Sequence, residues 1–228
     1  MNLRRLIVLA APLLCLGAAP PEDFDPTCRN GLFTADPPFA LATINRTQPR
    51  APFHEDTDGC PWQGEKCATG SYVVPGDTVI ISRVRNGYAC ALYPSKGGGT
   101  AGWLATRQIN LTPVDTRPNP ERWLGTWSSE GNPTIRFTGR LNSLYVKGQA
   151  FWPGPPATHD WPSIHEGEID GPVEITGHTG LYGEDDNLCE VRFTLLGDYL
   201  LARDNRNCGG ANVNFSAVYR RAPDKAAR

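Results

Sequence analysis

The chain has 228 residues, with 22 basic and 24 acidic side chains, too little positive charge for a protein that holds nucleic acid or an anionic membrane surface. Its 24 glycines and 21 prolines exclude long uninterrupted helices and favour short strands joined by turns. The length suits one large domain or two small ones, and the apolar content excludes global disorder.

The first residues read MNLRRLIVLAAPLLCLGAAPPED. Arg4 and Arg5 form a basic start, Leu6 to Leu16 an apolar run, and Gly17 to Ala19 a small-residue end. This is the pattern of a secretory signal over residues 1–19. The run is too short to span a bilayer, and Leu14 before Cys15 disfavours lipidation. The expectation is a periplasmic or secreted protein with no stable membrane insertion after cleavage. Cleavage removes Arg4 and Arg5 and leaves all 24 acidic side chains, a net charge of about −4.

Cys15 leaves with the signal, and Cys28, Cys60, Cys67, Cys90, Cys189 and Cys208 remain. An even number in an exported chain reads as disulfides, with 15 possible pairings. The long gap after Cys90 separates four cysteines from two, which makes Cys189–Cys208 the natural C-terminal pair. Cys60–Cys67 would close a tight loop and leave Cys28 for Cys90. No close Cys-x-x-Cys pair supports zinc.

Residues 20–58 are rich in proline and acid, and read as an irregular lead-in with one strand near Phe39 to Ile44. From Cys60 the texture changes. SYVVPGDTVIISRV carries β-branched residues broken by a Pro75-Gly76-Asp77 turn. GYACALYPSKGGGTAGWLATRQI then alternates and crosses a glycine loop into Gly102-Trp103-Leu104. No helical period is visible.

YVVPGDTVII, YACALY and TAGWL, over about residues 68–112, resemble the bacterial SH3-like domain, a small β-barrel. Some members of that family bind cell-wall peptides or proteins in an aromatic groove. The resemblance makes Tyr72, Tyr88, Tyr93 and Trp103 candidate binding residues; the competing reading puts them in the barrel core. The SH3-like unit with its irregular extension is assigned to residues 28–112. TPVDTRPNPER follows, and residues 113–120 read as a linker.

The second half, residues 121–221, alternates with period two. In CEVRFTLL, Val191, Phe193 and Leu195 share a face, and in NVNFSAVYRR so do Val213, Phe215, Ala217 and Tyr219. LLGDYLL reads as a hairpin turning at Gly197-Asp198. Seven or eight such strands suit a small antiparallel barrel. Gly125-Thr126-Trp127 is similar to the Gly-x-Trp of lipocalin-like barrels, where an arginine after the last strand packs over the tryptophan; Arg220 or Arg221 is the candidate. The whole chain also resembles exported bacterial proteins that pair an SH3-like region with a segment ending DN…CGG…YRR, which implies an architecture and no activity. The expected fold class is all-β: an SH3-like small barrel followed by a small antiparallel β-barrel, both stapled by disulfides.

Three stretches invite chemistry. Cys208-Gly209-Gly210 resembles a nucleophile beside amide donors, but no histidine is placed to serve it, and an oxidising compartment favours a disulfide. The segment from His159 to Asp170 gathers His159, His165, Glu166 and Glu168, a possible metal set or carboxylate pair, against which stands a solvated loop running into a strand. Glu184 with Asp185, in GEDDN, could form a second carboxylate pair but reads as a hydrated loop or a loose calcium site. The preferred function is therefore non-catalytic recognition of a cell-wall peptide or a protein partner in the cell envelope, with no cofactor. The alternatives are an inhibitor of a wall hydrolase such as lysozyme, or a metal-dependent enzyme using the 159–170 cluster.

Overall fold

The computed structural model describes residues 27–35, 37–95, 99–129, 133–140, 143–154, 164–183 and 189–223. The signal-like segment lies outside them. The described residues form strands and short 3-10 turns, with no α-helix, so the protein is all-β.

The first seven strands are β1 (Ala40–Ile44), β2 (Ala51–His54), β3 (Ala68–Val73), β4 (Thr78–Arg85), β5 (Tyr88–Tyr93), β6 (Thr100–Ala105) and β7 (Ile109–Thr112). They form one antiparallel sheet in the order β3-β2-β6-β5-β4-β1-β7. Turn chemistry fixes this path. Asp77 takes the Val74 N–H on its carboxylate at 2.8 Å. Asn86 and Gly87 both have positive φ, as a tight two-residue hairpin between β4 and β5 requires. Alternation then divides the side chains. Val79, Ile81, Ala89, Ala91 and Leu104 pack with Phe53 and Val73 on one face. Ile80, Cys90, Leu92 and Trp103 pack on the other.

The remaining strands are β8 (Gly125–Ser128), β9 (Thr134–Arg140), β10 (Ser143–Pro153), β11 (Ile164–Thr176), β12 (Thr179–Gly183), β13 (Glu190–Leu196), β14 (Tyr199–Asp204) and β15 (Ala217–Arg221). Each pairs antiparallel with the next, and β15 returns to β8, closing an eight-stranded barrel. Val191, Phe193 and Leu195 point inward as the period-two pattern requires. Trp123, Trp127, Phe137, Tyr182, Phe215 and Tyr219 fill the interior with large rings. Each such ring, once buried, contributes on the order of 2 to 3 kcal/mol. Arg221 stacks its guanidinium 4.4 Å from the Trp127 ring centre, taking the place expected of an arginine after the last strand. Its Nη atoms also donate to the Leu124 and Arg122 carbonyls. Arg220 instead reaches the Pro94 carbonyl, just past the end of β5.

The run from Val213 departs from expectation: β15 begins only at Ala217. Val213 and Phe215 are buried in the barrel core without belonging to a strand. The reason is Asp204, whose carboxylate accepts the Phe215 N–H at 2.5 Å, the Arg206 N–H at 3.1 Å and the Ser216 hydroxyl at 3.2 Å. These bonds replace a strand ladder and fold residues 205–216 into a plug at one barrel end. Gly209 meets Gly167 of β11 backbone to backbone, and a Cβ on Gly167 would strike the Cys208 carbonyl.

Disulfides join Cys28 to Cys90, Cys60 to Cys67 and Cys189 to Cys208, the pairs that spacing suggested. The sheet and the barrel share one apolar cluster. Phe33, Leu41, Ile80, Leu92 and Trp103 meet Leu196 and Leu201 from the outer barrel wall. Residues 113–120 run between the two units, with the Thr116 carbonyl 3.3 Å from His178 Nδ1 on the β11–β12 turn.

Candidate functional site

The stretch between β2 and β3 makes a tight loop, Cys60 to Cys67, closed by its own disulfide. That loop holds Trp62 against the sheet. The Trp62 ring lies 5.9 Å from Tyr88, edge to face, and 5.8 Å from Trp103. Tyr88 in turn meets His54 edge to face at 5.2 Å. Trp62 remains 39 % exposed, and Tyr72 on edge strand β3 is 46 % exposed. Arg50 lies over the Tyr72 ring at 4.3 Å, a cation–π contact.

His54 is buried beneath this ledge, its Nδ1 3.2 Å from the Trp103 carbonyl oxygen. That oxygen only accepts, so the ring proton sits on Nδ1. Burial lowers the His54 pKa, more than its backbone hydrogen bonds raise it. The imidazole is therefore a neutral support for the Trp103 strand. Asp56 nearby takes the Cys28 N–H at 2.9 Å and a forked contact from Arg29. The Arg29 bond, more than the Cys28 bond, holds its carboxyl below the usual carboxylate range. This carboxylate moors the N-terminal segment.

Of the four residues expected to line one groove, the structure brings only part together. Trp103 is wholly buried, a correction that follows from its pairing with Cys90 at the centre of the sheet, and it serves as the floor beneath Trp62. Tyr93 packs with the Ala89 and Ala91 face, opposite to Tyr88, so the two cannot share a surface. Tyr88 and Tyr72 keep a place, and Trp62 joins them. The sequence signal for Trp62 was its enclosure between two cysteines seven residues apart.

The other candidates separate. Cys208 is bonded to Cys189, and the Gly210 amide donates to the Glu166 carbonyl at 3.0 Å, so that amide is already spent. His165 and Glu166 sit on alternate faces of β11, with Glu168 on the same side as Glu166, and so cannot converge on one ion. His159, Glu184 and Asp185 lie outside the described residues. No group of three or more potential metal ligands occurs among the described residues.

No family model matches the chain, and neither a curated protein nor a solved structure shows significant similarity to it. The site is thus defined by its own geometry: a partly exposed aromatic ledge, Trp62 and Tyr88 over a buried Trp103, with the exposed Tyr72–Arg50 pair at edge strand β3, three strands from Tyr88.

Proposed function

We propose that the protein is an exported, non-catalytic binding protein of the cell envelope, periplasmic or secreted, whose SH3-like unit recognises a peptidoglycan-type peptide or a protein partner. The observation that carries this reading is the ledge, where Trp62 is held by its own disulfide loop and backed by Tyr88 and Trp103. A rigid, half-exposed indole offers apolar area at small entropic cost. The order β7-β1-β4-β5-β6, with a 3-10 turn before the last strand, supports the SH3-like resemblance. The signal-like N-terminus and three disulfides support export.

Retention on purified sacculi tests the wall-binding form. The protein should co-sediment, and Trp62→Ala should reduce retention about tenfold or more, the range of an aromatic hot spot. Absence of retention, or retention indifferent to Trp62→Ala and Tyr72→Ala, sinks it.

One observation favours an inhibitor as the second reading. The hairpin of β10 and β11, 11 and 13 residues long, exposes Phe151, Trp152 and Ile164 near its tip. Glu166 and Glu168 line its outer side, beyond an Asp170 already paired with Lys147, a charge suited to a basic enzyme such as lysozyme. A lysozyme activity assay with and without equimolar protein decides this: undiminished turnover removes the reading.

A further inference from the structure

A second site lies away from the ledge, on the outer wall of the barrel. A groove of about 400 Å³ runs between the N-terminal segment, which contributes Thr34, Pro37 and Phe39, and strands β11 to β14. The cross-strand register orders its floor. Glu174 on β11 pairs with Leu181 on β12, Leu181 with Arg192 on β13, and Arg192 with Arg203 on β14. All four line the groove. A second row, Thr179, Thr194 and Leu201, runs beside them. A carboxylate thus stands at one end and two guanidinium groups at the other.

The charges are only partly settled internally. Arg192 gives its Nε to Glu190 at 2.9 Å, and that side chain is still 61 % exposed. Among the described residues, Arg203 and Glu174 have no ion pair. Two like charges directly opposite each other across a ladder destabilise the sheet unless an anion joins them. Strands lie about 4.8 Å apart, so the backbone positions of Glu174 and Arg192 are roughly 10 Å apart and those of Glu174 and Arg203 roughly 14 Å. An extended peptide of three residues spans about 10 Å. Leu181 and Phe39, both half-buried, supply apolar surface for small side chains between the ends.

We infer that this groove binds a short zwitterionic peptide of about three residues, its terminal carboxylate between Arg192 and Arg203 and its terminal ammonium at Glu174. The carboxylate is held by charge-assisted hydrogen bonds from a guanidinium fork, the geometry that favours arginine over lysine. The inference is independent of the Trp62 ledge, and Trp62→Ala leaves it unchanged.

Titration calorimetry of the purified protein with trialanine, N-acetyl-trialanine and trialanine amide tests it. Trialanine gives saturable binding, and capping either end weakens it about tenfold. In Arg203→Gln the free and amidated peptides bind alike. In Glu174→Gln the free and acetylated peptides bind alike. Both changes are on the surface, and unchanged thermal midpoints confirm intact folding. The proposal is overturned if trialanine shows no saturable binding, if capping does not matter, or if inorganic phosphate displaces the peptide equally well in wild type and Glu174→Gln with no loss on amidation.

Discussion

Replacing Asp204 with alanine removes the carboxylate that gathers the Arg206 and Phe215 N–H groups and the Ser216 hydroxyl, and leaves the Cys189–Cys208 disulfide in place. The Phe215 N–H, buried and 2.5 Å from Asp204 Oδ2, is left without an acceptor. An unsatisfied buried donor costs about 1 to 3 kcal/mol, and the charge-assisted bond it loses is worth about 1.5 to 3 kcal/mol. The Arg206 N–H and Ser216 hydroxyl are only part-buried and turn to water, so they add little. The expected loss is about 3 kcal/mol for Asp204→Ala. Asp204→Asn keeps one neutral acceptor and loses about half as much. Urea unfolding with the disulfides intact, followed by tryptophan fluorescence and far-ultraviolet circular dichroism, reads both values. Val213 and Phe215 lie in the barrel core, so the signals should shift together. A loss below about 1 kcal/mol for Asp204→Ala, or an Asn variant as damaged as the Ala variant, would refute the reasoning.

Three further outcomes follow from the same structure. Arg221→Ala loses the stack on Trp127 and two carbonyl contacts, and should cost about 1 to 2 kcal/mol by thermal unfolding, with Arg221→Lys intermediate because it lacks the planar face. Asp56 has a lowered pKa in the folded state, so the unfolded chain takes up its proton first as pH falls. Its contribution is complete above the ordinary carboxylate pKa, about 4, and is lost as pH drops through the lower folded value. Thermal midpoints recorded from neutral pH to about pH 2 should fall less steeply in Asp56→Asn, and parallel curves would count against this. Gly167→Ala places a methyl group against the Cys208 carbonyl and should displace the plug at a cost of roughly 2 kcal/mol, whereas a stability change of less than about 0.5 kcal/mol would contradict the close packing.

Local signals carried much of the fold. The alternation of Val191, Phe193 and Leu195, the glycine at the Gly197 turn and the spacing of six cysteines each rest on short-range geometry, which a sequence displays directly. The pairing of Trp127 with a late arginine came from the resemblance to lipocalin-like barrels, which left Arg220 and Arg221 as equal candidates; the register of β15 puts Arg221 over the ring. The Val213–Ser216 run shows the limit. Its alternation is real, but the Asp204 carboxylate, eleven residues before Phe215, captured the backbone N–H that a ladder needs. Trp62 escaped notice because its enclosure by Cys60 and Cys67 marks a constrained loop but does not say which face of the sheet its indole will lie against. The groove on the barrel wall was invisible for a different reason: Glu174, Arg192 and Arg203 come together only through strand register. Trp103 looked like a groove residue because its Gly-Trp-Leu setting does not reveal that its strand is flanked on both sides by others.

The barrel's closing seam sets an order of assembly. Seven of its junctions join neighbours in sequence and can zip up locally, whereas β8 and β15 meet across about ninety residues through Arg220 with Ser128 and Arg221 with Trp127. Closing so long a loop is entropically expensive and is repaid only once the hairpins between are in place. The seam should therefore form late, with the arginine over Trp127 as a latch on escape. Its removal should accelerate unfolding in stopped-flow denaturant jumps and leave the refolding rate nearly untouched; slowed refolding would mean that the ends of the barrel find each other first.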